Sequence, residues 1–345
     1  MTDAHGPSGD GPGTGRELTM PTAEGTRSAP AVPSASPARR FAPYRRTGPP
    51  RPRRSQRARQ TRAAWLFLAP SLTALAVFVV WPMIQAAYLS FTDYNLMQAA
   101  HWVGLGNYRQ LIDDPEAWNA LENTLVYAVV STPVSVVLAF SLALFLNRSM
   151  ALRGFLRSAV FLPFVVSLGV VSIAWAFLLD PNIGLLSKWL SALGVSPEQG
   201  WLEDPAYAMP AVIAVGVWKN LGFYMVMYLA GLQGIPPELH DAARVDGASA
   251  WQRLRRITWP LLTNQTMLIS IMAAIGTLQA FDQIYVMTHG GPFFQTETLV
   301  VFTYRVGFER NEFGYAAAIS WVLLVLVFVL SMLQFGYFRK RAVTL

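Results

Sequence analysis

The chain has 345 residues, of which 53% are hydrophobic and only 14% charged, with a net charge of +7 at pH 7. Soluble domains carry about a quarter charged residues, so long stretches here lack charge, and a mean hydropathy of +0.34 points to a polytopic membrane protein. The absence of Cys excludes disulfides, thiolate nucleophiles and Cys-ligated zinc or iron–sulfur clusters, and four His leave little for a His-rich metal site.

Residues 1–62 are rich in Pro, Gly, Ser, Thr and Arg, with 12 Arg against four acids and almost no large aliphatic residue. Such a segment buries too little apolar surface to offset its ordering entropy, so it reads as a disordered tail. It is too long for the charged region of a signal peptide. Six apolar stretches follow, at 63–91, 123–146, 155–179, 206–231, 267–287 and 315–337. Each meets the roughly 20 residues that a helix needs to cross a hydrocarbon core about 30 Å thick. Only helices or closed barrels satisfy the backbone in lipid, and these runs lack barrel alternation. Residues 63–345 therefore read as one six-helix transmembrane domain. Pro70, Pro82, Pro133 and Pro163 fall inside the spans, where a packed membrane bundle tolerates them.

Charge in the connections sets the orientation. The tail, the second–third and fourth–fifth connections and the C-terminus together hold 22 basic residues; the opposite side holds Arg109, Lys188, Arg305 and Arg310. The positive-inside rule places both termini in the cytoplasm. The basic excess is thus a topology signal, with contact to anionic lipid as its bland consequence, and nucleic-acid binding is set aside. The outer connections carry acids, among them Asp93, Asp114, Glu116, Glu122 and Asp204.

The inner connection at 235–260 has its own local chemistry. Pro236 and Pro237 suit a first helical turn, where a missing amide donor is no loss. Glu238 favours that turn through the helix dipole. Leu239, Ala242, Ala243 and Val245 give a mostly small apolar face. Gly247 stops the helix, and Ser249 with Gln252 forms a capping box for a second one. Two short helices at an angle are expected at the inner membrane surface.

Here the sequence resembles a known family. Asp241-Ala242-Ala243, then Gly247, Ile257 and Pro260, match the spacing of the EAA loop of ABC importer permeases. Asp241 stands where that pattern has Glu, one methylene longer, and Trp259 where it has Leu. Further stretches are similar to the carbohydrate-importer class: Trp81-Pro82, Val103-Gly104-Leu105-Gly106-Asn107-Tyr108, Phe161-Leu162-Pro163, and Gly290-Gly291-Pro292. The resemblance runs from about residue 64 to the end. It implies an all-α membrane protein with six transmembrane helices of the type I ABC importer kind, multi-pass in a bacterial plasma membrane. It also implies a non-catalytic role: the permease subunit of an ATP-driven importer of a sugar or oligosaccharide, with glycerol 3-phosphate or a glycerophosphodiester as the rival solute. The partners implied are a second, different permease subunit, two ATPase subunits that carry ATP and Mg, and an extracytoplasmic substrate-binding protein. No cofactor is expected on this chain itself, which has no Gly-x-x-x-x-Gly-Lys loop for a nucleotide. Under the resemblance, Glu238, Leu239, Asp241, Ala242, Ala243, Asp246, Gly247 and Ala248 are the ATPase-coupling residues.

Polar residues inside the spans are costly and normally face the bundle interior or a wet cavity. Lys219 and Asn220 in the fourth, and Gln279, Asp282, Gln283 and Tyr285 in the fifth, are candidates for the substrate path. The competing reading has them lock helices together, with Lys219 paired to Asp282. An intramembrane enzyme using Asp282, Lys219 or His289 is the alternative of another class; it leaves the 235–260 loop without a purpose. An ion-driven transporter would show an internal repeat, and none stands out.

Overall fold

The structure is a computed structural model that describes residues 54–195 and 197–339. The chain divides into Met1–Ala64 and Trp65–Leu345. Of the first unit only 54–64 are described, as the start of the first helix; residues 1–53 of the expected tail lie outside the described residues. Residues 54–62, assigned to the tail from sequence, are helical. That stretch has no Pro or Gly, and apart from Ser55 and Thr61 it is built of Arg, Gln and Ala, all good helix formers.

All regular elements among the described residues are helical. In chain order they are α1 (Arg54–Leu75), α2 (Trp81–Leu89), α3 (Gly106–Asp113), α4 (Pro115–Leu146), α5 (Arg153–Val165), α6 (Leu168–Leu179), α7 (Leu185–Ala192) and α8 (Pro205–Gln233). There follow α9 (Pro237–Val245), α10 (Ala250–Arg253), α11 (Trp259–Leu261), α12 (Thr263–Leu278), α13 (Asp282–Thr288), α14 (Leu299–Tyr304) and α15 (Phe313–Arg339). Wide π-turns at Ala76–Val80, Leu254–Thr258 and Arg305–Glu309 join α1 to α2, α10 to α11, and α14 to its following loop. The first two end just before Pro82 and Pro260. A proline lacks the amide for the carbonyl four residues back and presses its ring on it, so a widened turn relieves the clash.

Four helices are long and apolar enough to cross a membrane as single rods: Ala64–Leu89, Pro115–Leu146, Pro205–Gln233 and Phe313–Arg339. The third and fifth expected spans differ from straight rods. The third bends by 99° between α5 and α6, and the fifth pairs Ala250–Leu261 with Thr263–Leu278 at 66°. Counting each bent pair as one span gives six. The fifth breaks again beyond α12, at Gln279–Phe281, so α13 is a separate short helix on the outer side.

α4 and α8 form the centre. At the inner end Ala139, Ala143, Met225, Tyr228, Leu262 and Ile269 make one buried cluster; nearer the outside Tyr127, Val212, Val215, Ile284 and Met287 make another. A third joins the start of α4 to α14 and α15 through Ala120, Phe302, Val306 and Ile319. Close approach at the centre depends on small residues. A side chain at Gly216 would meet the Tyr127 hydroxyl, and one at Gly222 the Val160 carbonyl of α5. The apolar window of the first span, by contrast, buries nothing within the chain; Phe67 and Phe78 stand exposed.

Candidate functional site

Polar chemistry gathers, among other places, at an inner hairpin, a cavity at the break in the fifth span, and a braced outer loop.

The inner hairpin is α9 followed by α10. α9 ends in the two hydrogen bonds of a Schellman motif. The Gly247 amide donates to the Arg244 carbonyl at 3.1 Å and the Ala248 amide to Ala243 at 2.8 Å. Gly247 has φ +75°, a conformation open to glycine and strained for residues with a Cβ, and space around it is empty. The capping box is present: the Gln252 amide donates to Ser249 Oγ and the Ser249 amide to Gln252 Oε1. The hairpin angle is therefore fixed by local bonds. Its outward face is open. Glu238, Leu239, Asp241, Ala242, Asp246 and Gly247 are exposed, Ala243 and Ala248 half-buried, and Val245 is 88% exposed. Asp241 pairs with Arg244 at 2.7 Å on the same helix.

The cavity, of about 360 Å³, lies between α4, α8 and the α12–α13 break, lined among others by Tyr127, Ser131, Asn220, Gln279, Asp282 and Gln283. Gln283 Nε2 donates to the Tyr127 hydroxyl at 2.7 Å. Gln283 Oε1 is buried without a hydrogen-bond partner, and Ser131 lies against the Tyr127 hydroxyl. Buried polar atoms normally have partners, and an exception in a cavity marks a place for water or a polar ligand. Asp282 is the one charged residue lining it among those described.

Two of the sequence candidates lie elsewhere. Lys219 is 7% exposed, donates from Nζ to the Phe164 carbonyl at 3.2 Å and sits 5.1 Å over the Phe164 ring. Phe164 is in the last turn of α5, where the extended backbone at Val166 leaves carbonyls without a helical partner. Lys219 thus caps the broken third span. It does not form the Lys219–Asp282 ion pair expected from sequence; no such pair occurs among the described residues. Tyr285 stacks on Phe281 and meets Tyr304 edge-on, outside the cavity. The sequence reading missed Tyr127, Ser131 and Ser135, which line the cavity at a spacing of four along α4. That spacing puts them on one helix face, and it was the available signal.

A larger groove of about 910 Å³ runs along α4 and α8. Its wall is apolar (Val126, Val130, Val134, Ile213) and its outer rim carries Asn119, Glu122 and Asn123. Val217 lines both the groove and the polar cavity.

The outer loop is braced by charge. Glu297, with its side chain 1% exposed, receives Arg305 Nε and Nη2 at 2.7 Å each. Arg305 and Arg310 also reach Glu116 at the start of α4, at 2.8 and 2.6 Å. Burial pushes the Glu297 carboxyl above the usual carboxylate range, and the Arg305 guanidinium acts against that. Asn119 and Asn123 of α4 both donate to the Phe294 carbonyl at 2.8 Å. His289, Phe293 and Phe294 take positive φ without being glycine, a strain that persists only where surrounding contacts hold it.

A bundle of crossing helices, two of them broken, with an open inner hairpin and a polar cavity between central helices, defines a multi-pass membrane permease. Residues 116–342 match the family described as binding-protein-dependent transport system inner membrane component, and the chain belongs to that family. It is 38% identical over 283 residues to the lactose transport system permease protein LacF of Rhizobium radiobacter, covering 80% of this chain and 94% of that protein. It is 34% identical over 285 residues to the trehalose/maltose transport system permease protein MalF of Thermococcus litoralis, covering 82% and 96%. The fold matches a bacterial ABC transporter involved in the import of the acidic polysaccharide alginate, with TM-score 0.74 and 23% identity over 83% of this chain and 98% of that one. The protein is therefore a translocation subunit of a binding-protein-dependent ABC importer, in the inner membrane.

Proposed function

We propose that this subunit imports a sugar or oligosaccharide, paired with a second permease, two ATPase subunits and a substrate-binding protein on the outer side. The carrying observation is the cavity chemistry. Unpartnered Gln283 Oε1, with Ser131, Asn220, Gln279 and Asp282, offers hydroxyl-binding groups beside aromatic rings. Among the described residues no Lys or Arg lines the cavity, and Asp282 does. A lining of amide and hydroxyl groups with no cation of its own suits a neutral polyhydroxylated solute better than glycerol 3-phosphate. Relatives named for lactose and for trehalose and maltose fit the sugar reading, and one named for sn-glycerol-3-phosphate, 33% identical, fits the rival.

The apolar groove along α4 and α8 is where the second permease closes the path, so that the polar cavity opens between the two subunits. The hairpin face of Glu238, Leu239, Asp241, Ala242, Ala243, Asp246, Gly247 and Ala248 inserts into a groove on an ATPase subunit. Small residues permit close approach, and Val245 gains from burial there. ATP and Mg sit on those ATPases, and their closure, passed through α9 and α10 into α12, opens the permease pair outward to the loaded binding protein.

Two measurements test this. Calorimetry on the cognate binding protein should show heat with a sugar and none with glycerol 3-phosphate; the reverse would overturn the substrate reading. In the reconstituted complex, Gly247→Val should abolish uptake stimulated by the loaded binding protein and leave that protein's sugar affinity unchanged. Normal uptake by an assembled Gly247→Val complex would remove the hairpin from the coupling route.

A further inference from the structure

A third cavity, of about 780 Å³, opens on the inner side between the ends of α4 and α8 and the hairpin. Its wall has two characters. The floor is apolar, from Leu144, Leu232 and Ile235; the rim is cationic, from Arg148, Arg244 and Arg253. No Asp or Glu lines it among the described residues. Arg244 is already paired to Asp241, and Arg253 spends one donor on the Ala248 carbonyl at 3.1 Å. Arg148 is exposed, and its side chain has no partner among the described residues. Arg148 lies two residues beyond the last turn of α4, which puts it at the cytoplasmic membrane boundary. Trp251, which also lines the cavity, is 67% exposed, as a side chain seated among headgroups would be.

The faces of α9 separate this cavity from the ATPase surface. Pro237, His240 and Arg244 line the cavity, and their spacing places them on one face of the helix. Glu238, Ala242 and Val245 fall on another. Asp241, paired to Arg244, lies at the border between the two faces. Basic pockets between spans on the cytoplasmic side suit anionic headgroups, and an apolar floor beneath an arginine rim matches the start of the acyl chains beneath a phosphate.

We propose that this cavity holds the headgroup of an anionic phospholipid of the cytoplasmic leaflet, with Arg148 and Arg253 on its phosphate. Bound there, the lipid ties the end of α4 to the hairpin. The inference needs only the membrane orientation, so it stands or falls apart from the coupling role.

The test uses the complete complex, reconstituted in an equal mixture of phosphatidylglycerol and phosphatidylcholine, then washed with detergent and assayed for retained phospholipid. Phosphatidylglycerol should be retained over phosphatidylcholine. Arg148→Gln should lower that retention about fivefold, the worth of one basic residue at an anionic surface, and Arg148→Lys should restore most of it. Arg255→Gln, two residues beyond Arg253 but outside the cavity, should leave retention unchanged. Equal retention of the two lipids, or equal losses in Arg148→Gln and Arg255→Gln, would overturn the proposal. So would retention by the permease pair that disappears when the ATPases are added, since the ATPase would then be the occupant.

Discussion

The outer loop and the inner hairpin are built on opposite plans. The outer loop is held from within: Glu297 is enclosed, Arg305 clamps it, and Asn119 and Asn123 of α4 fix the Phe294 carbonyl. The hairpin fixes its own angle through Gly247 and Ser249 but carries an exposed apolar residue, Val245, on its outward face. A segment that satisfies itself can act as a rigid wall. A segment that fixes its shape and leaves its face bare is suited to receive a partner and move with it. Under the proposed coupling role, the difference separates a static outer frame from a lever on the inside.

The comparison can be broken most strongly at Arg305. Arg305→Ala leaves a buried carboxylate without its partner, which costs about 3–5 kcal/mol. The outer loop should loosen, seen as a lower melting temperature of the purified complex and faster proteolysis outside. Glu297→Gln with Arg305→Met should recover part of the loss, because both charges are then gone. A single Arg305→Ala with parental melting would show that the outer frame does not depend on this pair.

A middle-sized effect is expected in the cavity. Gln283→Leu removes the bond that Gln283 donates to the buried Tyr127 hydroxyl, a loss of about 0.5–1.5 kcal/mol. Uptake should fall several-fold while the complex still assembles and hydrolyses ATP. Unchanged uptake would take Gln283 out of the substrate path.

The smallest effect belongs to the hairpin surface. Asp241→Ala breaks a pair whose two members are each 64% exposed, and exposed pairs contribute about 0–1 kcal/mol. The isolated permease should melt as before. Any loss should appear only in stimulated ATPase activity of the full complex, which separates a partner contact from an internal one.

Much of this was legible in the sequence, and the parts that were not have physical reasons. The hairpin was readable because turn chemistry is local: Pro237, Gly247 and the Ser249–Gln252 box each act within a few residues. The six apolar runs were readable from length and composition. The 99° bend between α5 and α6 was not, because Val166 and Ser167 interrupt nothing in the hydropathy. Apolarity specifies depth in the membrane and is silent on direction. Lys219 was visible as an anomaly, but its carbonyl partner exists only because α5 stops. Glu297 was passed over since its role depends on Arg305 and on Glu116, a residue distant in the chain. The Tyr127, Ser131 and Ser135 stripe could have been found, since a spacing of four is a helical face.

The contrast between frame and lever is most directly measured by cysteine accessibility, because the chain has no Cys of its own. Val245→Cys marks the hairpin, and Phe293→Cys marks the tip of the outer loop, where Phe293 is 81% exposed. In the permease pair without ATPase subunits, a membrane-impermeant maleimide applied to detergent-solubilised protein should label both. Adding the ATPase subunits should protect Val245→Cys and leave Phe293→Cys fully reactive. Undiminished labelling of Val245→Cys in the assembled complex would contradict the claim that this hairpin is the ATPase contact.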